Sequence, residues 1–433
     1  MTLSLTIAVV TGVLVCASVV FLPSFKLGKL QVDAYLLVAV LGAVACLVSG
    51  VIPIDYLRNG LVADTAVNPL KILLLFLSMT FLSVYLDELG VFEYLANKAL
   101  AFGKGKQTTL FVTLYVTVAV LTVFTSNDII VLTFTPFICA FCRRANVSPI
   151  PYLFCEFIAA NTWSMCLVIG NPTNIYLATS AEVGFGEYFK VMALPTLTGG
   201  VVAFAVLCLL FARKLSAPMR LTVDKICLSD KTEVAVGTAH LVVCLVLLAV
   251  GSYVGLEMWI AAVALALSLC VFTEVISLAR RTKPVVLEHA LKRLPYQLVP
   301  FVLSMFVVVL SMQYNGDTER FAELLNCDFT VWSFGLSGVV VANVINNIPM
   351  SVLYSAVLDS RSLVGNYGAM YASVVASNIG AYLTPVGALA GIMWLSILKK
   401  ENVDVGFVTF VKYGAAVALP TIAATLAVLS AVI

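Results

Sequence analysis

Charge is what this sequence has least of. Of 433 residues, 11% are Asp, Glu, Lys or Arg and 61% are hydrophobic, whereas an average soluble domain is about a quarter charged. A soluble surface cannot be built from so few charges, so the length does not stand for two or three soluble domains. The 25 basic and 23 acidic residues nearly cancel to +2 and form no basic stripe, which argues against a nucleic-acid partner. Histidine is scarcer still, with His240 and His289 alone, both near the cytoplasmic edge. An intramembrane enzyme would need a Gly-x-Ser-Gly, His-Glu-x-x-His or paired-Asp arrangement within the bilayer, and that different-class alternative takes second place. No phosphate-binding Gly-x-x-x-x-Gly-Lys-Ser/Thr run occurs, since Gly103-Lys104-Gly105-Lys106 lacks the spacing. Most of the eleven cysteines (Cys16, Cys46, Cys166, Cys208, Cys244 and Cys270 among them) lie inside apolar runs and read as packing residues. Cys139 and Cys142 have the Cys-x-x-Cys spacing, but a zinc site would need a second pair.

What is abundant is apolar sequence in runs of about 20 residues, each long enough to cross the roughly 30 Å hydrocarbon core. The fold class is therefore all-α and polytopic. Spans are expected at 3–23 (Met1 to Leu22 lacks the basic start of a signal peptide), 31–53, 70–87, 188–212, 236–254, 258–278, 296–314 and 406–432. Three irregular stretches remain, at 107–142, 150–180 and 330–398. Residues 107–142 carry Thr125-Ser126-Asn127-Asp128 between two apolar arms, with Lys104 and Lys106 before and Arg143 and Arg144 after. Basic ends on both sides suit a segment that enters and returns, either a re-entrant hairpin or two tightly joined spans. A second such hairpin is expected at 330–358, interrupted by Asn346-Asn347-Ile348-Pro349. Broken helices are expected at 150–180 and 368–398.

With hairpins that do not cross, the first half has five crossings, so the second half starts on the opposite side. The basic residues then sort nineteen to the cytoplasmic side and five outside (Arg58, Lys71, Lys190, Arg320 and Arg361), with Lys412 undecided, as the positive-inside rule asks. Both termini come out extracytoplasmic. Echoes support an inverted repeat. Leu77-Ser78-Met79 with Gly90 matches Leu303-Ser304-Met305 with Gly316, and Ala193-Leu194-Pro195-Thr196 matches Ala418-Leu419-Pro420-Thr421. Asn161 and Gly170 match Asn378 and Gly387. The organisation expected is a first repeat over 1–212, a cytoplasmic linker over 213–235 and a second repeat over 236–433. The stretch 284–294 reads as an interfacial helix.

Breaks in helices survive within a membrane where they line a cavity or are buried in protein. The first break runs from Asn161-Thr162-Trp163 to Gly170-Asn171-Pro172-Thr173-Asn174, and the second from Ser377-Asn378 to Thr384-Pro385-Val386-Gly387. Freed carbonyls with Asn and Thr oxygens can take a cation, and half-helix N-termini attract an anion. The alternative is that Asn and Thr merely join helices while Gly and Pro kink them. Four clusters at repeat-related positions favour a binding site, because intramembrane polar groups are costly. The candidate substrate- and ion-binding residues are Ser126, Asn127, Asp128, Asn161, Thr162, Gly170, Asn171, Thr173, Asn346, Asn347, Ser377, Asn378, Thr384 and Gly387. Asn127, Asn171, Asn347 and Asn378 are candidates for Na⁺, and no cofactor beyond coupling Na⁺ or H⁺ is expected. Asp128 is either a proton or Na⁺ ligand or a helix cap, and its counterpart in the second half is Asn347 or Ile348. Glu156 is either a second titratable group or an interfacial charge. Asp87 and Glu88 end a span and read as solvated, and Trp163 and Trp394 as packing residues.

Asn127-Asp128 through Thr135-Pro136, Asn346-Asn347-Ile348-Pro349, and Tyr371 through Leu398 with its Thr-Pro-Val-Gly and Met-Trp-Leu carry a resemblance that covers essentially the whole chain. The sequence resembles the ion transporter superfamily, and within it the arsenite permeases and NhaD-type Na⁺/H⁺ antiporters. The resemblance implies inverted repeats, opposed hairpins and alternating access of elevator or rocking type, with substrate held by hairpin tips and unwound loops. It implies a secondary transporter in the cytoplasmic membrane for a small anion or metalloid oxyanion such as arsenite or antimonite. A Na⁺/H⁺ antiporter and a Na⁺-coupled carboxylate or sulfate symporter are the alternatives within the superfamily. The partners implied are a small inorganic or carboxylate ion, membrane lipid, a second copy in a homodimer and, for a true arsenite permease, a cytoplasmic ATPase subunit. Arsenite permeases carry an acidic residue where this chain has Asn378, and Gly170-Asn171-Pro172-Thr173 is closer to Na⁺-coupled carriers or antiporters.

Overall fold

The structure is a computed structural model that describes residues 2–21, 24–27, 30–63, 68–101, 106–216, 230–251, 254–360, 363 and 365–433. The first half holds α1 (Leu3–Phe21), a short antiparallel hairpin of β1 (Ser24–Leu27) and β2 (Leu30–Asp33), α2 (Ala34–Val48), α3 (Ile54–Val62), α4 (Pro69–Glu88), α5 (Val91–Ala101), α6 (Gln107–Phe124) and α7 (Asn127–Ala145). It continues with α8 (Ile150–Trp163), two 3-10 turns (Ser164–Cys166 and Val168–Gly170), α9 (Pro172–Ser180) and α10 (Phe185–Leu215). The second half holds α11 (Lys231–Gly251), α12 (Met258–Arg280), α13 (Val285–Lys292), α14 (Leu298–Tyr314), α15 (Asp317–Leu325), α16 (Thr330–Ile345) and α17 (Asn347–Leu358). It ends with α18 (Tyr367–Ile379), a 3-10 turn (Gly380–Tyr382), α19 (Leu389–Lys400) and α20 (Phe407–Val432).

This is an all-α polytopic membrane fold. Six helices among the described residues are long and apolar enough to cross a bilayer, seven if α14 and α15, bent by 81° at their junction, count as one. The face given to lipid is apolar, with Val201, Leu209, Val271 and Leu419 exposed along α10, α12 and α20. The span expected at 31–53 is shorter than its hydropathy suggests. Residues 30–33 are a strand, and α2 stops at Val48, where the chain turns at Gly50 with φ +69, a conformation that glycine adopts without penalty. The expected linker is also shorter, because α10 continues to Leu215 and α11 begins at Lys231. Residues 217–229, most of that linker, lie outside the described residues, as do Lys29, Lys104, Arg220, Lys225 and Arg361 of the charge sorting.

Packing pairs the halves element by element. α12 lies along α4 as α2 lies along α14, α1 pairs with α2 as α11 does with α12, and α6 meets α8 as α16 meets α18. The cross-pairs matter most: α9 of the first half packs on α17, α19 of the second packs on α7, and α10 packs on α20. The sequence echoes have local causes. Gly90 and Gly316 follow α4 and α14 in the left-handed region, at φ +77 and +73, and end those helices as a glycine past the C-cap does. Pro195 and Pro420 sit inside α10 and α20 at equivalent points of the pair.

A helix, α13, stands where an interfacial one is expected at 284–294, with Leu287 and Ala290 buried and Glu288 exposed. It is pinned to the end of α4, so Asp87 and Glu88 are not the solvated pair that their position suggests. Arg293 reaches Asp87 at 2.7 Å and Glu88 at 2.5 Å, and His289 lies 3.5 Å from Glu88. Burial works against the charge of Arg293, but the two carboxylates outweigh it and its pKa stands above the ordinary value. Arg293→Ala leaves Asp87, 6% exposed, without its cation. The expected cost is about 1–2 kcal/mol, held down by the partial exposure of the arginine. Thermal unfolding in detergent checks this, and an unchanged midpoint contradicts it.

Candidate ion and substrate site

The two hairpin tips are built alike. α6 ends at Phe124 and α7 starts after Ser126, while α16 ends at Ile345 and α17 starts after Asn346. The second tip is tighter, because Asn346 stands at φ +76 and its side chain accepts from the Ile348 N–H at 3.3 Å. Asn346 also donates to Val386 O at 2.9 Å, which fastens the tip to the second break. This alignment makes Asn127 the counterpart of Asn347, each the first residue of its arm, and Asp128 the counterpart of Ile348.

The breaks open where close backbone contact requires glycine. A Cβ at Gly170 would lie 2.1 Å from Ser164 O, and one at Gly387 would lie 2.8 Å from both Gly380 O and Asn343 Oδ1. Pro172 opens α9 at a position where no intrahelical N–H is needed, and Asn171 caps it by accepting from the Thr173 N–H at 3.1 Å.

Between tips and breaks lies a buried network centred on Asn378. Its oxygen accepts from Ser164 Oγ at 2.7 Å and Asn171 Nδ2 at 3.0 Å. Its amide nitrogen donates to Asn174 Oδ1 at 2.7 Å, Val374 O at 2.8 Å and Ser377 Oγ at 3.1 Å. Thr173 and Ser377 share a hydroxyl contact of 3.0 Å. The tips join by the same residue type: Asn127 Nδ2 donates to Asn161 Oδ1 at 3.1 Å and Asn347 Nδ2 to Ser377 O at 3.3 Å. Asn161 and Asn378 each donate back one helical turn, to Phe157 O and Val374 O, both at 2.8 Å. Their match in the sequence is thus a match of geometry.

Two oxygens stand out. Asn127 Oδ1 and Asn347 Oδ1 are buried with no hydrogen-bond partner among the described residues, and Ser126 Oγ beside Asn127 is in the same condition. Leaving such a group unpaired costs about 1–3 kcal/mol, and here it happens at two repeat-related tips. Oxygens of this kind suit a hard cation such as Na⁺.

Two candidates lie apart from the network. Thr384 donates through its hydroxyl to Asn343 Oδ1 at 2.7 Å, and Asn343 in turn donates to Gly380 O at 3.0 Å, closing the second break from one side. Asp128 lines a cavity of about 840 Å³. Ser126 and Asp128 of the first tip and Pro385 and Val386 of the second break share its wall with Lys292, Arg293 and Lys399. The remaining candidate, Thr162, donates to Tyr382 OH at 3.2 Å and links the two breaks.

Ser164, Asn174 and Asn343 belong to this site although sequence reasoning passed them over. Asn174 was visible in the Asn-Pro-Thr-Asn run, while Ser164 and Asn343 sit at no punctuated position. Glu156 is buried, not interfacial, and Trp394 donates to it at 3.3 Å. Gly335-Leu336-Ser337-Gly338 has the Gly-x-Ser-Gly spacing, but Ser337 Oγ is held by Ser333 O and Tyr354 OH. Gly335 and Gly338 let Leu426 and Ala376 pack close, so the run serves helix contact. Cys139 and Cys142 are buried free thiols on α7.

A family model described as citrate transporter matches residues 34–361. An arsenical pump membrane protein of Escherichia coli is 28% identical over 411 residues, covering 90% of this chain and 92% of that one. One from Yersinia enterocolitica is 27% identical over 82% of this chain and 85% of its own length. Among solved structures, the Alcanivorax borkumensis YdaH transporter superposes with a TM-score of 0.56 at 14% identity, covering 99% of this chain and 97% of that one.

Proposed function

The chain belongs to the citrate transporter family, and from that premise we propose that it is a secondary active carrier for a small anion, coupled to Na⁺ or H⁺. Its role as a membrane ion transporter follows from the family and the fold; substrate, coupling ion and membrane are the finer part of the proposal. The observation that carries it is the pair of unpartnered amide oxygens, Asn127 Oδ1 and Asn347 Oδ1, at the two hairpin tips. They offer a coupling cation matched places on either side of the Asn378 network. The cavity with Lys292, Arg293 and Lys399 in its wall, and the N-terminal turn of α7 beside it, offers an anion a way to that network. In this proposal residues 1–212 and 236–433 are inverted repeats in the cytoplasmic membrane, with the cavity open to the cytoplasm and both termini outside.

A carboxylate or oxyanion comes first, because the matching family model is described as citrate transporter and Lys292 and Lys399 stand in the cavity wall beside Arg293, which Asp87 and Glu88 already engage, and with Asp33 and Asp128. The arsenical-pump relatives keep arsenite and antimonite as the second reading. Thermal shift of the purified protein distinguishes them, with Na⁺ set against K⁺, alone and with citrate, dicarboxylates, sulfate, phosphate, arsenite or antimonite. Na⁺ is expected to raise the unfolding midpoint, and an anion to raise it further. Asn127→Ala and Asn347→Ala are expected to remove the Na⁺ shift. A metalloid shift that ignores Na⁺ would favour the second reading, and equal Na⁺ shifts in wild type and both variants would sink the cation sites.

A further inference from the structure

Glu156 lies outside the amide network and has no part in the scheme above. It sits on α8, five residues before Asn161, and is 0% exposed. Trp394 Nε1 of α19 donates to its Oε2 at 3.3 Å, and Thr135 Oγ1 of α7 stands 3.4 Å from each carboxyl oxygen. One carboxyl therefore joins three elements: the first hairpin, the first broken helix and the half-helix of the opposite repeat. The indole is fixed by a cage of rings, with Phe157 at 5.1 Å, Phe154 at 5.3 Å and Phe410 at 5.7 Å between centroids.

The titratable groups on the surrounding elements are the carboxyl of Asp128 in the first turn of α7, the thiols Cys139 and Cys142 on α7, Cys155 on α8 and Cys208 on α10, and the phenols Tyr115 on α6, Tyr152 on α8, Tyr382 after α18 and Tyr413 on α20. At the ends of α7 and α19, Arg143 pairs with Glu401 at 3.1 Å, and Arg144, Lys399 and Lys400 stand beside them in the chain, with Lys412 on α20. None of these forms an ion pair with Glu156 among the described residues.

The fold does not require a carboxyl here. Five residues before Asn378, the equivalent place on α18 holds Ser373, whose hydroxyl donates to Ala369 O of its own helix at 2.7 Å. The counterpart of Thr135 is Ser355, likewise bonded to its own helix at Val352 O, 2.8 Å away. That second position closes on itself and joins nothing. A lone acid buried at membrane depth is expensive, and here it stands where the halves of the molecule meet.

We propose that Glu156 is a proton-binding site whose occupancy sets how firmly α19 is tied to α7 and α8. A proton from water on one face forms an O–H bond at the carboxyl, and that bond breaks to water on the other face; no oxidant or reductant is needed. As the carboxylate, Glu156 accepts charge-assisted bonds from Trp394 and Thr135, which are about twice as strong as neutral ones. As the acid, it holds them more loosely and α19 is free to move against the hairpin. This rests on the carrier reading for its purpose, but proton binding can be measured without transport.

The test uses the full chain, purified and in proteoliposomes, as wild type, Glu156→Gln and Trp394→Phe. Infrared difference spectra between acidic and neutral buffer are expected to contain a carboxylic-acid C=O band that Glu156→Gln lacks and Trp394→Phe shifts. A pH gradient is expected to drive flux in wild type and not in Glu156→Gln, with the Na⁺ thermal shift kept by both as evidence that the variant is folded. A band that persists unchanged in Glu156→Gln, or gradient-driven flux equal to wild type, would overturn the proposal. Absence of flux in wild type under a pH gradient and under a Na⁺ gradient alike, with the band present and Glu156-dependent, would instead defeat the carrier reading and leave the proton site standing.

Discussion

Asn378→Asp, a change of one atom, is expected to abolish transport and to destabilise the protein by on the order of 3–5 kcal/mol. The amide nitrogen of Asn378 donates to Asn174 Oδ1, Val374 O and Ser377 Oγ, at 2.7, 2.8 and 3.1 Å. A carboxylate oxygen in its place faces the amide oxygen of Asn174 and the carbonyl of Val374 with no proton between them, and repulsion replaces two short bonds. The other oxygen keeps Ser164 and Asn171, so the loss is confined to the donor side. Asn378→Ala removes both sides and leaves Ser164, Asn171 and Asn174 short of a partner, which should cost a similar amount by a different route. Thermal unfolding with and without Na⁺ reads the stability, and uptake into proteoliposomes reads the function. An Asn378→Asp protein that unfolds within a degree of wild type, a change of about 1 kcal/mol for a chain of this size, would show that Asn378 is not the hub.

Gly170→Ala is the second large effect. A Cβ there would stand 2.1 Å from Ser164 O and 2.9 Å from Ser164 C and Cα. All three are backbone atoms, so no side chain can turn aside, and the two 3-10 turns of the first break must separate. Overpacking costs about 1–3 kcal/mol where neighbours can yield, and the cost here is expected to exceed that range. The equivalent Gly387→Ala should be milder, since the nearest contacts are 2.8 Å and one of them, Asn343 Oδ1, belongs to a side chain. The order is the checkable part: Gly170→Ala below Gly387→Ala in unfolding midpoint and in the monodisperse fraction recovered in detergent. The reverse order would contradict the role given to the Ser164 contact.

Much of the fold was legible because it rests on local chemistry. The apolar runs, the polar interruptions at 125–128 and 346–349, and the Gly and Pro of both breaks each act on the backbone within a few residues. The echo of Gly90 with Gly316 marks two left-handed turns, and that of Asn161 with Asn378 marks two identical side-chain bonds to the preceding turn. These follow from residue type and spacing alone. Misjudgements came where the span lengths were read from hydropathy. Residues 30–33 belong to a strand, and a hydropathy window dominated by α2 does not separate the end of that strand from the start of the helix.

The sequence by itself determined that the chain lives in a membrane, where its helices bend and break, and which residue types gather at those breaks. The tertiary structure alone decided which of those residues touch. Asn378 meets Ser164, Asn171 and Asn174 across more than 200 residues of chain, and Trp394 meets Glu156 across 238. Asp128, a helical first-turn neighbour of Asn127, lines the cavity instead of joining the amides. The reason is directional. Spacing fixes where a side chain leaves its own helix, but its partner is set by how α8 and α9 of one half lie against α18 and α19 of the other. That packing is a property of the whole folded chain and of no segment of it.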